Sequence, residues 1–479
     1  MSDSRASMVR FLLFASGVTA IGGFLFGYDT AVINGANSYI KEHWRLTPAW
    51  EGTATASMLL GCIPGAMFAG FLSDRFGRKR LLFLCAILYA ASGVLSALPR
   101  TVEEFLAARF LAGLGIGASS MVCPVYIAEI APEKWRGRLG TLFQLAIVVG
   151  IFLTLFVNML VRAPDNEAWN IAIGWRWMLG LGTVPAVLFL FLLFAVPESP
   201  RWLAQHGREE EAGAILRLAG GAEHAQRQME DIRGSLAEEE GRFSELLTGP
   251  FRRPLVIAVV IMACSQFCGI NAIIYYSTRI FAAAGAGKEI GTEELKAAAF
   301  TSTVWIGLVN LAFTFVAIGL IDRLGRRPLL ILGTAVQTAA LAMVGWMYHT
   351  HQGGFSQQEG FGLLVCVVTF TAAFAMSTGP IGWLLCSEIF PNRVRGRAMS
   401  VAAMTVWITD YMVTWSFPKL NDEWVGPAGT FWIYGAASLF ALVFVLAAVP
   451  ETKGRTLEEI EHFWISRAGR GSEIERLGA

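Results

Sequence analysis

The chain has 479 residues, 54% of them hydrophobic and 16% charged, with a mean hydropathy of +0.52. Soluble domains carry about 25% charged residues, so this composition excludes an ordinary water-soluble globule. The formal net charge of +1 supplies no global field for nucleic acid. The apolar residues cluster in blocks of about twenty, the length needed to cross a hydrocarbon core of roughly 30 Å.

In chain order these blocks predict twelve spans, at 11–33, 50–72, 81–98, 105–128, 139–161, 175–196, 254–283, 298–321, 328–348, 361–385, 397–418 and 429–449. Backbone amides in lipid must be satisfied internally, so the spans are expected as helices and the fold as an all-α membrane protein. A polar stretch at 197–253 divides them six and six. It reads as short amphipathic cytoplasmic helices, with Ser199-Pro200 as an N-cap and first helical residue. The expected organisation is a six-helix bundle at 1–196, a helical linker at 197–253, a second six-helix bundle at 254–449 and a cytoplasmic tail at 450–479.

Lysine and arginine set the orientation. With both termini inside, 28 fall on cytoplasmic segments, eight outside, and two (Arg109 and Arg279) within spans, as the positive-inside rule requires. Met1 to Arg10 is polar, and the apolar run after it is too long for a cleavable signal peptide and ends at an acidic residue. The seven cysteines lie in apolar stretches without metal or disulfide spacing, and the six histidines fall outside the apolar blocks. No metal site, cofactor or enzymatic centre is expected. Gly113-Leu-Gly115-Ile-Gly117 and Gly22-Gly23-Phe-Leu-Phe-Gly27 sit inside spans, where small residues let helices approach closely. No Gly-x-x-x-x-Gly-Lys-Ser/Thr phosphate loop exists, which excludes direct ATP drive.

The two halves repeat one another. Asp74-Arg75-Phe-Gly77-Arg78 after the second span recurs as Asp322-Arg323-Leu-Gly325-Arg326 after the eighth. Glu129, Arg136 and Arg138 recur as Glu388, Arg395 and Arg397 at a constant offset of 259 residues. Such duplication implies two related bundles with a pathway at their interface near the bilayer midplane.

Within the spans Asp29 is the most informative residue. A carboxylate there costs roughly 2.5–3.5 kcal/mol on insertion scales and normally faces a cavity or a partner. Arg109 in the fourth span falls at similar depth and is its expected partner. Paired, Asp29 favours ionisation; separated, in an apolar setting, it favours protonation. Polar amides in spans (Gln144, Gln266, Asn271 and Asn310) and the aromatic faces of Trp383 and Trp407 suit a ring bearing hydroxyls.

These features, with Gly27-Tyr28-Asp29-Thr30, Pro197-Glu198-Ser199-Pro200-Arg201-Trp202-Leu203, Gly269-Ile270-Asn271 and Pro450-Glu451-Thr452-Lys453-Gly454-Arg455, resemble the sugar porter family of the major facilitator superfamily over nearly the whole chain. The resemblance implies proton-coupled import of a monosaccharide, a glucose-like aldohexose or xylose, by alternating access. Asp29 and Arg109 match its proton-coupling pair. Gln144, Ile151, Gln266, Asn271, Asn310, Trp383 and Trp407 match its sugar-contacting positions, and Tyr275 and Tyr276 its outer gate. Asp74, Arg78, Glu129, Arg136, Arg138, Glu198, Arg201, Asp322, Arg326, Glu388, Arg395 and Arg397 match an inner gate that favours the outward-open state, with Glu451 alongside. The sequence departs from the family at Ser265, where a glutamine is usual, at Val406, where Asn or Gln is common, at Ala375, where facilitative glucose carriers have Glu, and at Asp410, which replaces an Asn of some relatives. The expected partners are a monosaccharide, a proton and the lipid bilayer, with no nucleic acid; the expected unit is a monomer in a bacterial inner membrane. A facilitative uniporter is the alternative within transport, and a membrane sugar sensor the alternative outside it.

Overall fold

The computed structural model describes residues 2–237, 243–247, 249–284, 293–351, 355–390, 392–454, 459–460 and 464, and among these all regular structure is helical. The chain divides into two compact units, Met1–Glu239 and Glu240–Ala479.

The first unit begins with a helix from Ser2 to Trp44, which runs past both ends of its apolar block. Pro48–Phe76, Arg78–Ala97, Val102–Ile130 and Glu133–Val161 follow. Thr47 and Thr101 cap the second and fourth, accepting from the backbone N–H of Trp50 and Glu104. The sixth span, Glu167–Ala195, starts earlier than its apolar block predicts. A π-helical turn at Asn170–Gly174 leads it into Trp175–Gly180, and Thr183–Leu192 completes it after Gly182. Three short helices, Pro200–Gln205, Glu209–Gly220 and Ala222–Ala237, carry the chain onward. Trp202, Leu203, Ala212, Leu216, Ala225 and Met229 bury against one another to hold these three together. Ser199 caps the first of them, as its sequence position predicts.

In the second unit the seventh span splits into Arg252–Phe267 and Ile270–Ala284. Glu293–Leu324 and Arg326–Thr350 come next, then a tenth span split at Ser377 into Gln357–Met376 and Thr378–Glu388. Asn392–Lys419 and Gly426–Ala448 complete the set. All twelve expected spans are therefore helical. Eleven are long and apolar enough to cross a membrane; the exception is Asn392–Lys419, whose apolarity is diluted by Thr405, Thr409, Asp410 and Thr414. This is a multi-pass membrane protein.

Close backbone approach sets the first unit's geometry. A Cβ on Gly113 would lie 1.9 Å from the Met58 carbonyl oxygen, and one on Gly61 would lie 2.1 Å from that of Phe110. One turn on, Gly117 meets the Cys62 carbonyl at 2.2 Å and Gly65 that of Leu114 at 2.5 Å. The second and fourth helices thus interlock through small residues on both sides, the arrangement that lets helices associate in lipid. The first and fifth helices do the same through Gly27, whose Cβ position is 1.9 Å from the Ile147 carbonyl, and Gly150, 2.3 Å from that of Phe24. Gly113→Val should destabilise the purified protein by about 3 kcal/mol, the upper range for overpacking, seen as a lowered Tm in detergent. Gly17→Ala, with nothing within 4 Å of its Cβ position, should leave Tm unchanged or higher. Equal losses in the two variants would refute this account of the interface.

Candidate functional site

The glycine-mediated approach of the first and fifth helices places Asp29 two residues beyond Gly27, and the fourth helix brings Arg109 to it. Arg109 Nη1 donates to Asp29 Oδ1 at 2.9 Å, while Nη2 donates to the Asp29 main-chain oxygen at 3.0 Å and to Met58 Sδ at 3.1 Å. The arginine side chain is 1% exposed and the aspartate side chain 17%. The carboxylate therefore keeps an open edge while the guanidinium has none, and the buried Arg109 Nε has no partner among the described residues. Removing the charge of Asp29 would leave a buried cation uncompensated, a cost of roughly 3–5 kcal/mol. Tyr28, next in sequence, anchors this stretch by donating to the Met178 carbonyl at 2.8 Å. On the fifth helix Gln144 is half-buried and its amide makes no hydrogen bond among the described residues. Ile151 is buried, its backbone nitrogen 3.0 Å from the Gly27 Cβ position.

The second unit places Gln266 and Asn271 at the break in its seventh span. Gly269 adopts φ +82°, in the left-handed region that favours glycine, and any Cβ there would strike the Tyr434 ring at 2.3 Å. Gln266 and Asn271 flank this break, and the Asn271 amide donates to Gln266 Oε1 at 2.8 Å. Gln266 in turn donates to Ser265 Oγ at 3.1 Å, so the family departure at Ser265 belongs to the same chain of hydrogen bonds. Asn310 is buried, and its side-chain amide has no partner among the described residues. Trp383 is half-buried in the tenth span, six residues past the Ser377 break, and Trp407 is buried in the eleventh. Tyr276 donates to the Thr414 carbonyl at 3.2 Å and stacks on Phe417, while the Tyr275 hydroxyl points to Asp410 Oδ2 at 3.5 Å. Both tyrosines are thus held against the eleventh span.

The charge motifs form one cluster in each unit, built to the same plan. Arg78 makes a two-pronged bridge to Glu129 with both contacts at 3.0 Å, and also reaches Asp74 at 3.1 Å. Ser199 Oγ donates to Glu129 Oε2, and Glu198 Oε1 accepts the Lys79 backbone N–H at 3.0 Å. In the second unit Arg326 bridges Glu388 at 2.8 Å, and Thr452 Oγ1 donates to Glu388 Oε2 at 2.6 Å. Glu451 there accepts the backbone N–H groups of Arg326 and Arg327, each at 3.0 Å. Burial raises the Glu451 pKa, but the N–H groups of Lys453, Arg326, Arg327 and Thr452 outweigh burial and hold it below the usual carboxylate value. Gly77 at φ +100° and Gly325 at φ +96° admit these glutamates, which lie 2.3 and 2.7 Å from their Cβ positions. Of the remaining motif residues, Arg395 donates to the Phe390 carbonyl at 3.1 Å, Arg138 lies over the Trp135 ring, Arg136 is exposed and Arg201 half-buried. Arg397 is half-buried, and the Asp322 side chain lies outside the described residues.

Three features escape the sequence reading. Glu51, 0% exposed, bridges Lys41 at 2.8 Å and accepts from Asn37 at 3.2 Å, joining the first and second helices at the end opposite Asp74. Gln337 donates to the hydroxyls of Ser377 and Thr378 at 3.2 and 3.0 Å, satisfying the broken tenth span. Ser199 and Thr452 each complete a glutamate cluster. The acid at the edge of an apolar block was the available signal for Glu51; nothing local marks Gln337.

The family model for sugar (and other) transporters matches residues 15–464. The chain is 38% identical to the arabinose–proton symporter of Bacillus subtilis, over 96% of this chain and 97% of that protein. It is also 38% identical to a glucose transport protein of Synechocystis, over 96% of this chain and 98% of that protein. An inward-open structure of the xylose transporter of Escherichia coli superposes with a TM-score of 0.81, at 35% identity, over 95% of this chain and 100% of that one. The chain belongs to the sugar (and other) transporter family, the sugar porters of the major facilitator superfamily.

Proposed function

We propose that this protein imports a monosaccharide together with a proton by alternating access, as a monomer with both termini in the cytoplasm. The observation that carries the reading is the Asp29–Arg109 pair, a buried arginine bound to a carboxylate that keeps a solvent edge. The relatives named for arabinose–proton symport and xylose transport support it. A proton reaching Asp29 weakens its hold on Arg109, and a neutral sugar brings no charge of its own to compensate. One charge moving inward gains about 2.3 kcal/mol per 100 mV. At ~150 mV this supports accumulation of a few hundredfold, since 1.4 kcal/mol is tenfold.

Gln144 and Ile151 in the first bundle (1–196) and Gln266, Asn271, Asn310, Trp383 and Trp407 in the second (254–449) are assigned to the sugar, joined by the linker 197–253. The unpaired amides of Gln144 and Asn310 leave hydrogen-bonding capacity for ring hydroxyls. Tyr275 and Tyr276 are assigned to the outer gate. The two glutamate–arginine clusters, with Arg136, Arg138, Arg201, Asp322, Arg395 and Arg397, are assigned to the inner gate, and the tail from 450 is assigned to the cytoplasm. The substrate is an aldose of the glucose or pentose type.

Three outcomes test the reading. Proteoliposomes given an inward proton gradient should accumulate labelled glucose, xylose or arabinose above the outside level, and a protonophore should abolish the excess. Uptake that merely equilibrates would make the protein a uniporter. Asp29→Asn should keep sugar exchange between the two sides while its accumulation ratio falls, since the charge carried on Asp29 is lost; undiminished accumulation would refute the role of Asp29. Glu129→Gln, which breaks the Arg78 bridge, should raise cytoplasmic thiol labelling of a cysteine placed on the inner half of the fifth span. Unchanged labelling would remove that cluster from the gate.

A further inference from the structure

Asp410 is a second carboxylate inside a span, and it lacks what Asp29 has. It is 2% exposed. Thr414 Oγ1 donates to its Oδ1 at 3.1 Å, the Tyr275 hydroxyl stands 3.5 Å from Oδ2, and the Asn271 amide lies beside it. No basic side chain pairs with it among the described residues. Arg279 on the Tyr275 helix is taken up by Asp422. The other ionisable groups on the elements packed against this helix are Cys264, Tyr275, Tyr276 and Cys386, with Tyr411 on the helix itself. The remaining charges (Glu245, Arg252, Arg253, Glu388 and Glu423, and Arg395, Arg397 and Lys419 on the helix itself) lie toward the ends of those elements. A buried carboxylate answered only by neutral donors has its charge poorly compensated, whereas its protonated form is neutral and turns one oxygen into a donor. The Tyr275 hydroxyl at 3.5 Å stands at the outer limit of a hydrogen bond and is a neutral donor to the ion.

We propose that Asp410 is a second proton-binding site of this carrier, and that sugar binding at Asn271 is coupled to its protonation. The coupling half rests on the function proposed above. A proton from water adds to the carboxylate, whose charge then no longer draws the neighbouring Asn271 N–H, leaving that N–H for a sugar hydroxyl. Sugar accordingly binds more tightly as pH falls.

The test uses the full chain in liposomes in an Asp29→Asn background, followed by infrared difference spectroscopy across a pH titration. A protonated-carboxyl C=O band should titrate and be missing from the Asp29→Asn/Asp410→Asn double variant. Tyr275→Phe, which removes a donor to the ionised form, should move the midpoint to higher pH, a shift that serves if the double variant does not fold. Xylose or glucose affinity in the Asp29→Asn background should change with pH by up to about tenfold per unit, the limit for one linked proton, and become flat in the double variant. A titrating band set unaltered by both Asp410→Asn and Tyr275→Phe overturns the site. A band assigned to Asp410 alongside pH-independent sugar affinity overturns the coupling. If the unmodified chain binds no sugar, the functional reading and the coupling fall together, while the band still decides the proton site.

Discussion

A charge inside hydrocarbon must be answered by another polar group, and three carboxylates in this protein are answered in three ways. Glu51 is fully enclosed and fastened to Lys41 and Asn37, so it acts as a fixed joint between two helices. Asp29 is fastened to a guanidinium that is more buried than itself. A buried ion pair contributes little net stability, yet breaking it is costly because one charge is left behind. Any proton that reaches Asp29 therefore acts on Arg109 as well, and through it on Met58 of the second helix. Asp410 accepts only from neutral donors among the described residues, so burial and those hydrogen bonds together decide its charge state. Solvent access separates the first two carboxylates: that of Glu51 is 1% exposed, whereas that of Asp29, at 17%, keeps an edge that the proposed proton exchange would use.

The charged ends of the two units show how the remaining ions are kept in order. In each, an arginine at the start of a span forks onto a glutamate at the end of the next span, and a hydroxyl from beyond the last span of that unit locks the glutamate. A second glutamate from the same loop sits on the backbone N–H groups at that helix start, where the dipole and the unsatisfied donors favour an anion. Glycine precedes the arginine in both units because the carboxylate occupies the space a side chain would need. The consequence is that three separate stretches of each unit are bound at one end into a body that resists internal shear. The proposed alternation needs bundles that move as bodies, and these clusters meet that need whether or not they also meet across the pathway.

Much of this was legible in the sequence because lipid imposes a coarse rule. Apolar blocks of span length had to be helices, and the constant offset between Glu129 and Glu388 exposed the duplication before any contact was known. Asp29 and Arg109 were legible as a pair because few charges in spans were available to choose from. The helix breaks were not legible. Gly269 showed only as part of a family motif, and its reason, a left-handed φ pressed against the Tyr434 ring, is tertiary. The Ser377 break is hidden because the amide that satisfies it comes from Gln337, forty residues earlier in the chain. The eleventh span reads as an apolar block between charged residues, although Thr405, Thr409, Asp410 and Thr414 leave it short of the apolarity of the other eleven.

That dilution bears on selectivity. A polar group in a span contributes most to binding when the unbound state leaves it unsatisfied, because the ligand then relieves a desolvation cost in addition to making a hydrogen bond. Gln144 and Asn310 are in that condition, with amides that find no partner among the described residues. Gln266 and Asn271 are in the opposite one, since each already satisfies the other across the Gly269 break. A sugar must exchange bonds with that couple, so they add little affinity and much geometric discrimination: a hydroxyl is accepted only where it can replace both partners at once. The departures at Ser265 and Val406 tighten this division. Ser265 joins the paired couple, and Val406 removes an amide and packs into the apolar core. Fewer free amides in the second unit throw more of the recognition onto the aromatic faces of Trp383 and Trp407, which read the shape of a ring more than the identity of each hydroxyl.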